Sequence, residues 1–247
     1  MIIVKIPFSA GSLGKNDGCE KAPDEILKGI EADIDSVKVD KYNFEETFKN
    51  IYEKIKLIKD KFFILGGDHS ITYSSFKAFS EKYKNPGLVV FDAHPDCEIS
   101  TKTVSHEDYL RNLIDKGILK KENVILIGVR KFSKTEINYV KEKGIKYYTP
   151  KTLNYGLDDF CDMLMENMRQ FDGVYLSIDI DAVDPGFAPG TGYLEPGGLS
   201  SRELLHILER IKILKNIQAI DLVEINPDKD VNNMTVLLGQ KILSEFL

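Results

Sequence analysis

The chain has 247 residues, of which 43% are hydrophobic and 29% charged, and no apolar run approaches the roughly 20 residues of a membrane span, so we expect a soluble protein. The formal net charge is −6, and basic and acidic residues are interspersed along the chain. No cluster of Lys and Arg is free of neighbouring Asp and Glu, which argues against nucleic acid as a partner. The three cysteines, Cys19, Cys97 and Cys161, are far apart and form no CxxC pair, which argues against a disulfide framework and a structural zinc knuckle and fits a reducing compartment.

Short apolar runs alternate along the chain with longer amphipathic stretches, the pattern of βα units around a mainly parallel sheet. The first run carries Lys5 and Pro7 and lacks a cleavage site, so it predicts a strand rather than a signal peptide, and we expect a cytoplasmic protein. The predicted strands are 2–7, 62–65, 87–91, 123–128, 173–178 and 217–223. The predicted helices are 23–31, 44–59, 71–84, 106–116, 133–143, 157–169, 200–213 and 234–246.

The chain shows no linker rich in Pro, Gly or Ser and no internal repeat. We therefore expect residues 1–247 to form a single α/β domain. The strands near 88–91 and 174–178 are apolar almost throughout, which suits a sheet covered by helices on both faces. The segment GSLGK at 11–15 follows a strand but lacks the spacing of a phosphate loop, and it predicts a turn or a substrate-facing loop.

Polar segments follow four of the predicted strands at the point where each strand ends. The segments are GGDHS, DAHPD, DIDAVDPG and EINP, in chain order. Ligands of open α/β sheets bind beyond the carboxyl ends of the strands. The sequence therefore predicts an active site at this edge of the sheet.

Asp92, His94 and Asp96 are spaced i, i+2 and i+4, and side chains of an extended segment alternate between faces, so this spacing directs all three to one side. Asp179 and Asp181 repeat the i, i+2 spacing after another strand. With His69 from GGDHS, these residues bring four carboxylates and two imidazoles to one edge.

Four neighbouring carboxylates without a Lys or Arg among them would repel one another strongly. Two divalent cations would balance the four negative charges. Carboxylates with a minority of imidazoles favour Mn²⁺, although the ligand types leave Ni²⁺, Zn²⁺ and Fe²⁺ open. Paired metals can share a water and lower its pKa, which makes hydrolysis the expected reaction.

The strand-end segments resemble the signature segments of the ureohydrolases, the arginase and agmatinase family. GGDHS (66–70), FDAHPD (91–96), SIDIDAVDP (177–185) and DLVEINP (221–227) occur in the family's order and cover nearly the whole chain. GFAPGTG (186–192) and EPGGLS (195–200) look more like agmatinases than arginases. The resemblance implies a three-layer α/β/α fold around a parallel sheet, two Mn²⁺ ions per subunit, and a homo-oligomer of three or six subunits.

The resemblance also implies roles for the six candidate metal ligands. One metal would be held by His69 and Asp96 and the other by His94 and Asp181, with Asp92 and Asp179 bridging. Asp96 would in addition orient the hydroxide that attacks the guanidinium carbon.

Two further residues match the family's catalytic machinery. Glu224 corresponds to the guanidinium-binding glutamate, and a carboxylate suits the paired N–H donors of that planar cation. His106, in TVSHEDYL, corresponds to the proton shuttle to the leaving amine, since imidazole titrates near neutrality. Family members commonly have Gly where this chain has Glu107, so a polar residue at a helix start is the alternative for His106.

Other departures concern the substrate. Tyr193 and Leu194 stand where the family usually has Thr-Pro, so a bulky phenol replaces a Thr that could line the guanidinium pocket. Glu98 stands where arginases place an Asn that meets the amino-acid end of the substrate. A carboxylate there would repel the α-carboxylate of arginine and attract a distal amine.

These features predict hydrolysis of agmatine to putrescine and urea, a reaction of polyamine biosynthesis. Arginine, guanidinobutyrate, guanidine and formimidoylglutamate remain alternative substrates. A deacetylase-type amidohydrolase, which needs one zinc and an adjacent His pair that this chain lacks, is a weaker alternative. A non-catalytic metal-binding homologue is the third possibility.

Overall fold

A computed structural model of the chain describes residues 1–153 and 156–247. Within these residues, eight strands form one sheet in which every neighbouring pair is parallel. The strands are β1 (Ile2–Ile6), β2 (Ile34–Ser36), β3 (Phe62–Gly66), β4 (Pro86–Phe91), β5 (Val124–Ile127), β6 (Lys146–Tyr148), β7 (Gly173–Asp179) and β8 (Ile217–Val223). Their order across the sheet is β2-β1-β3-β8-β7-β4-β5-β6.

The six predicted strands are all present, with ends within one residue of the prediction. The sequence prediction missed β2 and β6, the two edge strands. Each has only three residues and contains no fully buried one, so neither produces the apolar run that marks an inner strand.

Helices cover both faces of the sheet, which confirms the predicted three-layer α/β/α architecture. The described helices are α1 (Ala22–Ile26), α2 (Phe44–Leu57), α3 (Ile71–Ser80), α4 (Tyr109–Asp115), α5 (Lys134–Lys143), α6 (Pro150–Leu153), α7 (Leu157–Met168), α8 (Ser201–Ile211) and α9 (Met234–Ser244). None of these helices is long and apolar enough to cross a membrane.

Side chains that alternate along the strands divide the interior into two cores. Phe63 and Leu65 pack with residues of α1, α7, α8 and α9 on one face. Phe62 and Ile64 pack with residues of α2, α3, α4 and α5 on the other. This period of two is what a strand buried on both faces requires.

Three helix predictions differ from the structure by three or more residues at one end. The helix predicted over 71–84 ends at Ser80. The helix predicted over 23–31 ends at Ile26, and Gly29 beyond it has a φ of 76°, which a right-handed helix cannot include. The helix predicted over 106–116 begins only at Tyr109, because the Asp108 carboxylate accepts hydrogen bonds from the backbone N–H groups of Ser105 and Thr101 and holds that segment as a loop. The short helix α6 was not predicted.

The four central neighbours β3, β8, β7 and β4 are also the strands that the polar signature segments follow. Their parallel register brings Leu65, Leu222, Ile178 and Phe91 to a common level at the carboxyl edge. The residues after these positions therefore meet across adjacent strands.

Candidate metal centre and its pocket

The structure brings the six predicted ligands together at the carboxyl edge of the sheet. Asp92, His94 and Asp96 follow β4, Asp179 is the last residue of β7, and Asp181 lies in the 3-10 turn after it. His69 lies between β3 and α3. All six are buried except His94, whose side chain is 17% exposed.

Nδ1 of His69 faces three carboxylates. It lies 3.1 Å from Asp92 Oδ2, 3.1 Å from Asp96 Oδ2 and 3.2 Å from Asp179 Oδ2. Nδ1 of His94 lies 3.0 Å from Asp181 Oδ2 and 3.4 Å from Asp92 Oδ1. Five of the six residues form two groups, each close enough to hold one ion: His69, Asp92 and Asp179 in one, and Asp92, His94 and Asp181 in the other. Asp96 belongs to neither group but lies 3.1 Å from His69 Nδ1.

A network of buried hydrogen bonds behind His69 determines which ring nitrogen of the neutral imidazole carries the proton. Tyr175 and Thr72 donate to Asp221 Oδ2, and Ser177 Oγ donates to Asp221 Oδ1 at 2.6 Å. The Ser177 hydroxyl already donates its hydrogen to Asp221. Its oxygen therefore accepts a hydrogen bond from the N–H group at His69 Nε2, 2.8 Å away. The proton of a neutral His69 therefore resides on Nε2, and the lone pair of Nδ1 points at the three carboxylates.

Three of the aspartates are oriented in the same way. In each, Oδ1 accepts a backbone N–H and Oδ2 faces a histidine of the centre. The N–H groups belong to His94 for Asp92, to Asp181 for Asp179 and to Ala93 for Asp181. The carboxylates are thus fixed by main-chain groups before any ligand binds.

The electrostatics of this arrangement require added positive charge. Burial and the Asp92 carboxylate raise the pKa of Asp96 well above its usual value, and burial and Asp181 do the same for Asp179. Among residues 1–153 and 156–247, His69 Nδ1 and Asp92 Oδ2 are buried without a hydrogen-bond partner, which is costly unless something else satisfies them. Four carboxylate groups and two imidazole nitrogens fit two divalent cations in charge and in donor type.

Glu224, the predicted guanidinium ligand, lies beside this centre, directly after β8. Its Oε1 accepts from His69 N–H at 2.8 Å and lies 3.1 Å from His106 Nδ1, while Oε2 accepts from Asn16 Nδ2 at 2.6 Å. A carboxylate can accept about four hydrogen bonds, so one position remains for a ligand in the pocket that Glu224 lines. Glu224 has a φ of 65° and Asp96 a φ of 49°, a left-handed backbone that is strained for both residue types and typical of functional positions.

Asn16 is a site residue that the sequence prediction missed. It is fully buried, and besides Oε2 it binds the Glu224 carbonyl at 2.9 Å. Asn226 Nδ2 donates to Asn16 Oδ1 at 2.7 Å and so fixes the orientation of the Asn16 amide. The only sequence signal was the segment at 11–15, predicted as a turn or substrate-facing loop, which ends just before Asn16.

His106, the predicted proton shuttle, lies in the loop before α4 and is 4% exposed. Burial opposes its protonation, but the Glu224 carboxylate raises the pKa of His106 to about 9. Its Nδ1 faces Glu224, and its Nε2 is buried without a hydrogen-bond partner. The ring of Tyr193 stacks on the imidazole, with centroids 5.8 Å apart and planes at 22°.

A cavity of about 270 Å³ opens above the centre. Candidate metal ligands form its floor, and Glu98 and Tyr193, two of the three predicted substrate contacts, line its wall together with Glu107. The one lysine of the lining, Lys131, lies 3.4 Å from the carboxylate of Glu195. The wall therefore carries a surplus of negative charge.

Arg130 is a second residue that the sequence prediction missed. Its guanidinium donates to the backbone carbonyls of Asp181 at 2.8 Å and Glu195 at 2.6 Å, and to three further carbonyls nearby. It thereby ties the segment that carries Asp181 to the loop that carries Tyr193. A lone arginine after a predicted strand gave no sign of this role.

Comparison with known proteins shows which family the chain resembles. A family model described as the arginase family matches residues 1–247. An arginase from Staphylococcus aureus (strain COL) is 33% identical over 243 residues, covering 86% of this chain and 80% of the relative. The mitochondrial agmatinase of Gallus gallus is 36% identical over 225 residues, covering 87% of this chain and 65% of the relative. The crystal structure of arginase from Bacillus subtilis superposes with a TM-score of 0.88 at 26% identity, covering 100% of this chain and 97% of that one.

Proposed function

The chain belongs to the arginase family, and on that premise we propose that it is a binuclear-metal hydrolase that cleaves a C–N bond of a linear guanidino compound, with agmatine as its substrate. The observation that carries this proposal is the strand-end centre, in which four carboxylates and two imidazole nitrogens converge next to Glu224. Agmatine would yield putrescine and urea.

The donor set supports Mn²⁺ as the native ion, because it combines hard carboxylate oxygens with a minority of imidazoles. When bound, the two ions would lower the pKa of a water and so provide a nucleophile at neutral pH. The resemblance to the family implies that His69 and Asp96 would hold one ion and His94 and Asp181 the other, with Asp92 and Asp179 contributing to both. In the structure, Asp92 is common to the group with His69 and Asp179 and to the group with His94 and Asp181.

The remaining steps use side chains of the chain itself. Glu224 would bind the guanidinium N–H groups through the position that its three protein contacts leave open. Asp96 lines the cavity and would accept a hydrogen bond from the attacking hydroxide and so orient it. His106 would deliver a proton from Nε2 to the leaving amine, since Nδ1 is already engaged by Glu224.

The charge of the cavity wall supports a cationic substrate tail. Glu98 and Glu107 both line the wall, while Lys131 is close to Glu195 and so is partly neutralised. Such a wall would attract the distal amine of agmatine and repel a terminal carboxylate. The relatives include an arginase and an agmatinase at similar identity, so overall identity does not distinguish their substrates. The proposed preference for a cationic tail therefore depends on the charges of the cavity wall.

A substrate panel tests the proposal. The protein, loaded with Mn²⁺ or Ni²⁺, is assayed with agmatine, arginine, 4-guanidinobutyrate, guanidine and formimidoylglutamate for release of urea or formamide. We expect the highest kcat/KM with agmatine. Activity mainly on arginine would contradict the tail assignment alone, whereas no release from any compound would overturn the whole proposal.

Elemental analysis gives an independent check. We expect two ions per chain. After the metal-free protein is reconstituted, Mn²⁺ should restore more activity than Ni²⁺. A single tightly bound zinc would instead favour the deacetylase-type alternative. The trimer or hexamer implied by the resemblance stays a prediction, which light scattering would test.

A further inference from the structure

Glu107 and Tyr193, two residues singled out separately in the sequence, contact each other. The Tyr193 hydroxyl donates a hydrogen bond to Glu107 Oε1 at 2.8 Å, although the residues are 86 positions apart. This bond joins the loop before α4 to the loop between β7 and α8 across the wall of the cavity. The backbone carbonyl of Glu107 also accepts a hydrogen bond from the N–H group of Glu98 at 2.9 Å, so the two wall glutamates lie on backbone segments that are bonded to each other.

The pair lines the cavity above the candidate metal centre, beside two histidines. The Tyr193 ring is near the imidazoles of both His94 and His106, with centroid distances of 5.2 Å and 5.8 Å. Glu107 Oε1 lies 4.0 Å from the unpartnered Nε2 of His106. The Glu107 side chain is 37% exposed and that of His106 only 5%, so the Glu107 carboxylate lies on the solvent side of His106, where the tail of a bound substrate would extend from the centre.

Tyr193 gives this carboxylate a fixed position. The Glu107 side chain is 37% exposed, and a glutamate on a loop would otherwise be free to turn into solvent, where screening weakens its effect on a ligand. Tyr193 engages one oxygen and leaves Oε2 for a ligand. Of the other acids in the wall, Glu136 is occupied by the backbone N–H groups of Ser133 and Cys97.

We propose that Tyr193 and Glu107 act as one specificity element, which selects guanidino compounds with a cationic tail over compounds of nearly equal length that end in a carboxylate. This inference rests on the proposed function. Glu107 supplies the charge that discriminates between the tails. Tyr193 acts through Glu107, by keeping its carboxylate directed along the path of the tail.

The test compares agmatine with 4-guanidinobutyrate, whose tails are similar in length and opposite in charge. The ratio of their kcat/KM values is measured in the wild type, in Tyr193→Phe, in Glu107→Gln and in the double variant. We expect the preference for agmatine to fall about tenfold in Glu107→Gln and about threefold or more in Tyr193→Phe, which keeps the ring and loses the bond. The double variant should fall no further than Glu107→Gln, because the two residues are coupled.

Two matched controls distinguish this role from a general effect of removing charge or a tyrosine hydroxyl. Glu98→Gln removes a wall carboxylate that Tyr193 does not bind. In a variant that combines Glu98→Gln with Tyr193→Phe, the two changes in the kcat/KM ratio should therefore multiply. Tyr52→Phe removes a similar bond on the surface, from the Tyr52 hydroxyl to Glu81 Oε1 at 2.7 Å, and should leave the ratio unchanged. Melting temperatures of all variants establish that each is folded.

An unchanged ratio in Tyr193→Phe, or effects of Tyr193→Phe and Glu107→Gln that simply multiply, would overturn the proposal. Calorimetric binding of 1,4-diaminobutane and 4-aminobutyrate, the amines left after urea release, gives a second readout without turnover. The diamine preference should fall in the same variants by similar factors. If the wild type released urea from neither compound, the proposed function would fail, while the binding ratio would still test the pair.

Discussion

Three aspartates of the candidate metal centre are held by backbone groups, whereas Glu107 in the wall of its pocket is held by a side chain from a separate loop. In the centre, three aspartates each accept a backbone N–H through Oδ1. In the wall, the carboxylate of Glu107 is fixed by the phenol of Tyr193, and both side chains are partly exposed. The two regions share one cavity but differ in the groups that hold their carboxylates.

This difference indicates how one fold can keep its chemistry and change its substrate. Aspartates whose Oδ1 atoms accept main-chain N–H groups at strand ends are difficult to exchange, because another side chain would leave those buried N–H groups without an acceptor. Side chains on loops can be replaced without moving the sheet. We therefore expect substitutions in the centre to abolish metal binding and activity, and substitutions in the wall to change selectivity and affinity.

The largest effect is expected from Asp92→Ala, which removes the carboxylate common to both ligand groups. Without the ions no nucleophile forms at neutral pH, so kcat/KM should fall by more than about 10³-fold, together with the metal content. Elemental analysis and urea release measure the two losses. Asp60→Ala, at an exposed position, is the matched control. Two ions per chain in Asp92→Ala would show that the centre is less dependent on its backbone-fixed carboxylates than we infer.

A smaller effect is expected from Ser177→Ala, which leaves the ligand set intact and removes the acceptor of His69 Nε2–H. The imidazole then loses the contact that fixes its tautomer, and partners of this kind typically contribute about 10- to 100-fold to metal affinity. Competition with a chelator measures the change, and Ser80→Ala, whose hydroxyl binds only Lys77 O near the surface, is the control. Affinity within twofold of the wild type would mean that the buried network does not support the centre.

The centre could be predicted from the sequence because its ligands are local. Asp92, His94 and Asp96 are close in sequence, and the parallel order of β3, β8, β7 and β4 brings the ends of four predicted strands together. The fold was predictable for the same reason, since inner strands are continuous apolar runs. The edge strands β2 and β6 lack that signal and were missed.

The wall could not be predicted in the same way. Glu107 and Tyr193 were each recognised as departures, but their bond joins loops 86 residues apart, and no local pattern encodes such a contact. Asn16 was missed because its role depends on Glu224, 208 residues away. The missing information is the packing of one loop on another.

Asn16→Ala tests a residue that links the two regions, because it holds the Glu224 carboxylate and packs against the loop of Gly192. Freed from this bond, Glu224 should bind the guanidinium less well in the ground state and the transition state alike, so KM should rise about tenfold with little change in kcat. Steady-state kinetics with agmatine measures both constants. Asn50→Ala, which removes an amide bond to Lys38 O on the surface, is the control, and an unchanged KM would show that His69 and His106 suffice to position Glu224.

The smallest effect concerns the loop that carries Tyr193. The N–H groups of Gly186, Gly197 and Gly198 hold the pKa of Asp184 below its usual value. A carboxyl whose folded pKa is lowered stabilises the fold above its unfolded pKa of about 3.9 and loses that contribution as the pH falls through the folded value. Asp184→Asn should therefore lower the melting temperature of the metal-free protein slightly at pH 7, and the difference from wild type should shrink below about pH 4. Asp60→Asn should show no such pH-dependent difference. A constant difference at every pH would mean that the Asp184 charge contributes nothing and that the loop of the wall is held by Arg130 and packing alone.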